Sequence, residues 1–298
     1  VTTAQRPITN VPAELMRRMT SPLLGRGLGR NLPFVRAAYN FLVARLVRGI
    51  AVRRVHGHTM YLDLDDRGVG LPLYLNGAYE PGETALFQRI VQPGMVVFDV
   101  GAHGGYYTLI AARAVGAAGQ VVAFEPDPAN RALLLRNVAA NGYRNVTVVP
   151  AAVSDRRGAA RLYAGWGNAG DHRVYDTGDG RRWTDVASVT LDGFLDEGGV
   201  TRVDVIKMDI QGAEGAALRG MSALMRRHRQ LKLLIEFWPL GLREAGESPE
   251  ALLDGLVADG FRVHVVGPDG RADGTDRDAV MRRCERDEYV NLFLERSA

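Results

Sequence analysis

The order of apolar and polar positions changes character near residue 75. Beyond it, strand-sized apolar runs alternate with segments of helical period. A helix over Gly82–Ile90 leads to the run Met95–Val100, which ends in a glycine turn at Gly101 and is followed by a helix over Tyr106–Val115. The pattern then predicts strand Val121–Phe124, helix Pro128–Ala140, a turn at Asn141-Gly142 and strand Val146–Val149. Shorter extended pieces follow at Ala152–Ser154 and Ala159–Tyr163. Strands Val203–Ile210, Lys232–Phe237, Arg262–Val266 and Tyr289–Leu294, with helices over Ala213–Arg227 and Pro249–Ala258, complete the chain. Alternation at these lengths specifies an α/β fold, a mostly parallel sheet covered by helices on both faces.

The first 75 residues read differently, as an appendage to a main domain over 76–298. Pro7, Pro12, Pro22 and Pro33 break a lead-in that has room for one short helix around Ala13–Met19. Phe34, Val35, Ala38, Phe41, Leu42, Leu46 and Ile50 recur at helical spacing and predict a helix over Phe34–Val52. A strand over His56–Asp63 and a turn around Asp65–Gly68 follow. Within the main domain, residues 165–186 are polar, aromatic and glycine-rich, and long for a structureless loop. Loops of that kind tend to be binding segments or disordered ones.

Composition narrows the classes. With 298 residues, 46% hydrophobic and 24% charged, the chain has the make-up of a globular protein. No apolar run reaches bilayer-spanning length, and Val1-Thr-Thr-Ala-Gln-Arg lacks the succession of a secretory signal, so a cytoplasmic protein is expected. The single cysteine, Cys284, excludes an internal disulfide framework and a cysteine-based zinc site. Residues 1–60 hold ten Arg against one acid, Glu14, whereas the remainder is mildly acidic. A basic arm on an acidic body can meet a phosphorylated substrate, an anionic membrane or another chain, or be a helix with a solvated Arg face.

The chemistry lies at the strand ends. The first strand and turn read Val97-Phe98-Asp99-Val100-Gly101-Ala102-His103-Gly104-Gly105-Tyr106-Tyr107. Glycines after a buried strand let a ligand approach the backbone at a helix N-terminus. His103 stands where the dinucleotide fingerprint needs its second glycine, which argues against NAD or FAD. Asp99, one residue before the strand end, needs hydrogen bonds or a cation if buried. A sulfonium-bearing amino acid offers an ammonium and a positive sulfur. Glu125, 24 residues past Gly101, can accept both ribose hydroxyls of a nucleoside over the sheet edge, and Asp127 before Pro128 makes a good helix cap. Lys207-Met208-Asp209 ends a later strand, with Lys207 and Asp209 on one side of it, and Glu236 ends the next. These are cleft positions, although Lys207 and Asp209 also suit a buried structural ion pair. Glu214 has an alternative reading as a first-turn acid on the helix dipole.

The segments Tyr79-Glu80-Pro81-Gly82-Glu83, Val97 to Tyr107, Phe124-Glu125-Pro126, Pro150-Ala151-Ala152-Val153-Ser154-Asp155, Thr190-Leu191-Asp192 and Ile206-Lys207-Met208-Asp209-Ile210-Gln211-Gly212-Ala213-Glu214 occur in that order. The chain thereby resembles the FkbM family of S-adenosylmethionine-dependent methyltransferases over roughly residues 75–240. The resemblance implies a Rossmann-like seven-stranded, mostly parallel sheet sandwiched by helices, here with a helical N-terminal appendage. It implies that Gly101, Ala102, His103 and Gly104 hold the methionine portion through the backbone above Asp99. Glu125, with Pro126 beside it, would take the ribose. Ala152 and Val153 would flank the adenine, and Tyr79 and Glu80 would close over the amino-acid end. Gln211 stands where many members carry Glu, and no catalytic role is assigned to it.

The implied reaction is methylation of a hydroxyl on a sugar, glycoside or polyketide-type small molecule. Asp209 is the first choice for base or acceptor-orienter and His172, in the glycine-rich loop, the second; Lys207 and Glu236 complete the catalytic candidates. Asp209, Glu214 and Glu236 supply oxygens of the kind Mg²⁺ prefers, but their spacing is not diagnostic and a tightly bound metal is not favoured. The alternatives are an RNA methyltransferase using the basic arm, against which no base-flipping motif or RNA-binding module is found, and a peripheral membrane or partner-binding protein using the Phe34–Val52 helix. A homo-oligomer through the N-terminal region is compatible with any of these.

Overall fold

The computed structural model describes residues 47–198 and 200–296. These fall into two compact units, one of residues 47–79 with 167–170 and one holding the rest. In the first unit β1 (Ile50–Val55) and β2 (His58–Asp63) form an antiparallel hairpin. Its turn residues His56 and Gly57 both have positive φ, the two-residue turn whose twist matches the strands it joins. The carboxylate of Asp66 accepts the N–H groups of Gly68 and Gly70 and starts α1 (Gly70–Asn76). The helices expected at Ala13–Met19 and over most of Phe34–Val52 lie outside the described residues. Ile50–Val52, the end of the latter, is strand rather than helix. Gly49, at φ 75, is outside helical geometry, and β2 supplies a ladder to β-branched Ile50 and Val52.

The second unit is built on β3 (Val96–Val100), β4 (Gln120–Phe124), β5 (Val146–Val149), β6 (Ala151–Val153), β7 (Gly158–Tyr163), β8 (Trp183–Val189), β9 (Val205–Met208), β10 (Lys232–Phe237), β11 (Phe261–Val266), β12 (Ala272–Gly274) and β13 (Val290–Arg296). Its main sheet has the order β12-β11-β13-β10-β9-β3-β4-β5. The run from β10 to β5 is parallel, and β13 lies antiparallel between β10 and β11. This is the Rossmann-like α/β sheet expected, with one strand more than seven. The addition is β12, a three-residue edge strand without an apolar run to announce it.

The helices are α2 (Pro81–Ile90), α3 (Tyr106–Val115), α4 (Pro128–Ala140), α5 (Leu191–Asp196), α6 (Glu214–Arg219), α7 (Ser222–Arg227), α8 (Pro239–Glu244), α9 (Pro249–Ala258) and α10 (Arg277–Arg283). The single helix expected over Ala213–Arg227 is thus two. The break is at Gly220, where a Cβ would stand 2.0 Å from the Ser154 carbonyl oxygen. The end of the glycine-rich segment is strand, because Trp183–Val189 pairs with β7 in a separate sheet of order β6-β8-β7. Most of β8 is exposed, so it lacks the apolar alternation that marks a half-buried strand.

β3, β9 and β10 are buried along almost their whole length, as a parallel sheet covered on both sides requires. Phe98, Phe124 and Phe194 meet edge to face beneath the strand ends, with centroids 5.1–5.9 Å apart. Such pairs add about 0.5–1.5 kcal/mol each beyond area burial. Among the described residues no helix is long and apolar enough to cross a membrane.

Candidate active site

Strand register assembles the site. Asp99 of β3 is paired with Lys207 of β9, and Met208 is flanked by Val100 and Ile235. One residue further along, Gly101, Asp209 and Glu236 stand side by side at the carboxyl ends. Glu125 continues the row beyond β4, and Asn291, the register partner of Glu236, continues it on β13. The carboxyl ends of parallel strands are where open α/β sheets place ligands.

The glycine turn is fixed from three directions. Gly101 adopts φ 83, and a Cβ there would stand 2.1 Å from the carbonyl oxygen of Asp209, so only glycine lets β3 and β9 end this close together. Gly101 and Ala102 donate their N–H groups to the Phe124 carbonyl at 3.0 Å, and the Gly104 carbonyl accepts from Asn137 Nδ2 at 2.8 Å. His103, at φ 51, donates its N–H to Glu125 Oε2 at 2.7 Å, and Asp127 donates its N–H to Oε1 at 2.8 Å. Burial pushes the Glu125 carboxyl up to about 7, against the pull of His103 and the two backbone donors. Each oxygen keeps capacity for a further donor. Asp127 caps α4 through the N–H groups of Ala129 and Asn130.

Lys207 stands at the centre of the acids. It is 1% exposed, its Nζ makes no hydrogen bond, and it lies 3.6 Å from Asp209 Oδ2 and 5.0 Å from the centroid of the Tyr107 ring. Burial works to lower its pKa, but Asp209, Glu80, Glu236 and Asp99 outweigh that and push it up to about 12. Asp99, which accepts from Thr108 Oγ1, is pushed up to about 6, mainly by burial. Glu236 is held well above the usual carboxylate range by burial and then by Asp209 and Glu214. Glu80 accepts from the Tyr107 hydroxyl at 2.9 Å, which pins the start of α2 to the first turn of α3. Among the described residues no group of three or more His, Cys, Asp or Glu is arranged to hold a metal ion. Among the described residues the cation within this cluster is the Lys207 ammonium.

The loop after β9 is clamped. Glu214 accepts the N–H of Ile210 at 3.0 Å and that of Gly212 at 2.9 Å, and burial pushes its carboxyl up to about 7. Between them Gln211 sits at φ 55, and its carbonyl accepts the Tyr175 hydroxyl at 2.7 Å. Gln211 Nε2 donates to Asp209 Oδ1 and to Glu236 Oε2, both at 2.8 Å. Tyr175 is held by an organised segment. Arg173 is buried, pairs with Asp171 and Glu244, and lies over the Trp238 ring, while Arg181 pairs with Asp171 and Asp179.

Of the residues singled out in the sequence, Glu80, Asp99, Gly101, Lys207, Asp209 and Glu236 come together, with Ala102, His103, Gly104, Glu125 and Pro126 along the same rim. His172 stands elsewhere on it, accepting the Gly165 N–H at 3.0 Å through Nδ1, with Nε2 3.8 Å from Asp127. Ala152 and Val153 are buried on β6, and Val153 is part of the hydrophobic core. Tyr79 belongs to the first unit. Sequence reasoning passed over Gln211 as a bridge, Glu214 as a clamp, and Tyr107, Tyr175, Asn291 and Tyr289. Tyr289 is half-exposed, and its phenol is pushed up to about 12 by burial and then by Glu80, Glu236, Asp209 and Glu83. Its signal is its place just before a strand that begins beside Glu236, readable only once β13 is known to pair with β10.

A Rossmann-like sheet with a glycine turn and acids along its carboxyl rim is the arrangement of a class I methyltransferase. The model of the methyltransferase FkbM domain matches residues 99–263, more than half of the chain, which therefore belongs to the FkbM methyltransferase family and is S-adenosylmethionine-dependent. No curated protein matches the sequence. Similar solved structures include a precorrin-6y C5,15-methyltransferase from Geobacter metallireducens, at 14% identity over 72% of this chain and 87% of that one, with a TM-score of 0.42. An rRNA methylase from Streptococcus thermophilus is 10% identical over 72% and 94%, with a TM-score of 0.42. A SAM-dependent O-methyltransferase from Thermotoga maritima is 16% identical over 74% and 66%, with a TM-score of 0.40.

Proposed function

We propose that the chain is an O-methyltransferase acting on a hydroxyl of a sugar, glycoside or polyketide-type small molecule, in natural-product or glycan biosynthesis. The observation that carries this reading is the rim itself: Glu80, Asp99, Asp209 and Glu236 around one buried ammonium, beside a fixed glycine turn and Glu125. S-adenosylmethionine brings an ammonium, a sulfonium and two ribose hydroxyls, and the rim presents acceptors and negative charge, so the donor set fits. Gly101, Ala102, His103 and Gly104 with Asp99 would hold the methionine portion, Glu80 its amino group, and Glu125 with Pro126 the ribose. The backbone of Ala152 and Val153 would flank the adenine. When bound, the cofactor supplies an electrophilic methyl carbon.

The chain's own residues supply the rest. Asp209 takes the proton of the acceptor hydroxyl, and Lys207, at 3.6 Å, compensates its charge. A positioned base contributes about 10²–10⁴-fold, and holding the acceptor oxygen in line contributes roughly 7–11 kcal/mol. Glu236 is the second acid of the acceptor side. His172, against Asp127, borders the ribose end of the rim.

The test is transfer of a tritiated methyl group to a panel of neutral glycosides, polyketide alcohols and RNA. Label is expected in a hydroxylated small molecule, with Asp209→Asn reducing transfer by about 10²–10⁴-fold. Label confined to RNA overturns the acceptor class.

A further inference from the structure

Gln211 carries the strongest unassigned signal in the molecule. Five non-glycine residues among those described have positive φ, and three of them, Glu80, His103 and Gln211, sit on the rim. A side chain held in that region persists only where its surroundings over-determine it. For Gln211 they do: Glu214 grips the N–H on each side of it, and Tyr175 grips its carbonyl. What this fixes is the side-chain amide, whose single nitrogen lies 2.8 Å from an oxygen of Asp209 and 2.8 Å from an oxygen of Glu236. Those two oxygens are therefore within twice that length of each other. Two ionised carboxylates so close repel, and such pairs take up and release protons as a coupled unit.

We propose that Gln211 is a positioning residue that makes Asp209 and Glu236 a coupled pair carrying one negative charge, with one carboxylate ready to take the acceptor's proton. The amide uses both of its hydrogens on the pair and is a donor to each, so it holds the acids together without adding charge. A glutamate at the same position could not do so. The other charged groups facing the pair are Lys207 on β9, Glu80 ahead of α2, Asp99 on β3, Glu214 on α6 and Tyr289 ahead of β13. Lys207 is the one cation among them, so among the described residues the pair has no second counter-charge. The role rests on the methyl-transfer reading above.

The experiment compares the full-length chain with its Gln211→Glu and Gln211→Leu variants, both close in size to the original. Three measurements are made: calorimetry with S-adenosylhomocysteine, an infrared pH titration of the carboxylic-acid band, and the pH profile of methyl transfer to the best acceptor from the panel. A Glu236→Gln protein identifies the band of the pair. The variants are expected to bind S-adenosylhomocysteine within about twofold of the wild type. Their carboxylic-acid band should titrate at higher pH, and kcat at neutral pH should fall by about 10- to 100-fold and recover as the medium becomes alkaline. A carboxyl titration and pH profile that overlay the wild type in both variants overturn the proposal, whatever happens to total activity. Failure of the wild-type chain to bind S-adenosylhomocysteine instead overturns the cofactor reading, and the infrared titration still judges the role of Gln211.

Discussion

Glu125 offers the sharpest test of the cofactor site. Its two oxygens already accept the N–H groups of His103 and Asp127, and the ribose hydroxyls would be third and fourth donors. Hydrogen bonds to a charged group are worth about 1.5–3 kcal/mol each. Losing both should weaken S-adenosylhomocysteine binding by about 3–6 kcal/mol, or roughly 10²- to 10⁴-fold. Glu125→Ala also orphans two backbone donors, at about 1–3 kcal/mol each, so the fold is destabilised as well. Glu125→Gln keeps one acceptor but turns an NH₂ group toward a backbone N–H, and should bind between the wild type and Glu125→Ala.

The pH dependence separates the two effects. In the free protein burial holds the carboxyl up near 7, above its unfolded value of 4.5. The stability it contributes is therefore fully present below the unfolded value and is lost as pH rises through about 7. Hydroxyl donors favour the ionised form, so binding should release a proton near neutrality. Affinity should weaken as pH falls through about 7, by up to about tenfold per unit. Calorimetry in buffers of different ionisation enthalpy reads both quantities. Affinity that is flat between about pH 6 and about pH 8 with no proton release, or an alanine variant binding within about twofold of the wild type, refutes the assignment.

Lys207→Met should cost about 3–5 kcal/mol near pH 8, because it strands buried carboxylates without their cation. Chemical denaturation near pH 5.5 should show a smaller loss, since Asp99 and Glu236, already raised, take up protons there. Gly101→Ala puts a Cβ against the Asp209 carbonyl at a backbone angle alanine disfavours. It should lower stability by more than about 1 kcal/mol and abolish S-adenosylhomocysteine binding in the same calorimetric assay.

The fold was legible because parallel strands buried on both faces leave continuous apolar runs, as in Met95–Val100 and Lys232–Phe237. Elements with no such signature were missed: exposed β8, three-residue β12 and the short helices Gly70–Asn76, Leu191–Asp196, Pro239–Glu244 and Arg277–Arg283. The same limit governs the site. Asp99, Glu125 and Asp209 announce themselves as acids at strand ends. Gln211 and Tyr289 do not, because their meaning comes from register between β9, β10 and β13, which periodicity cannot supply. His172 shows the converse. A loop histidine suits base chemistry by type, but the fold sets it against Asp127, the cap of α4 that follows β4.

The electrostatics of the rim also constrain the acceptor. Four buried carboxylates, Asp99, Glu125, Glu214 and Glu236, and the half-buried Glu80 have pKa values raised by burial, and the Lys207 ammonium lies near Glu80, Asp99 and Glu236. Burial of this kind destabilises the free fold, and cationic or hydroxylated ligands offset it, which is why charge and strained backbone coincide where ligands are to be held. A phosphate or carboxylate next to the reacting hydroxyl would instead bring like charge to Asp209 and Glu236. On the proposed reaction, any anionic group of the acceptor must therefore lie well away from the oxygen that would take the methyl.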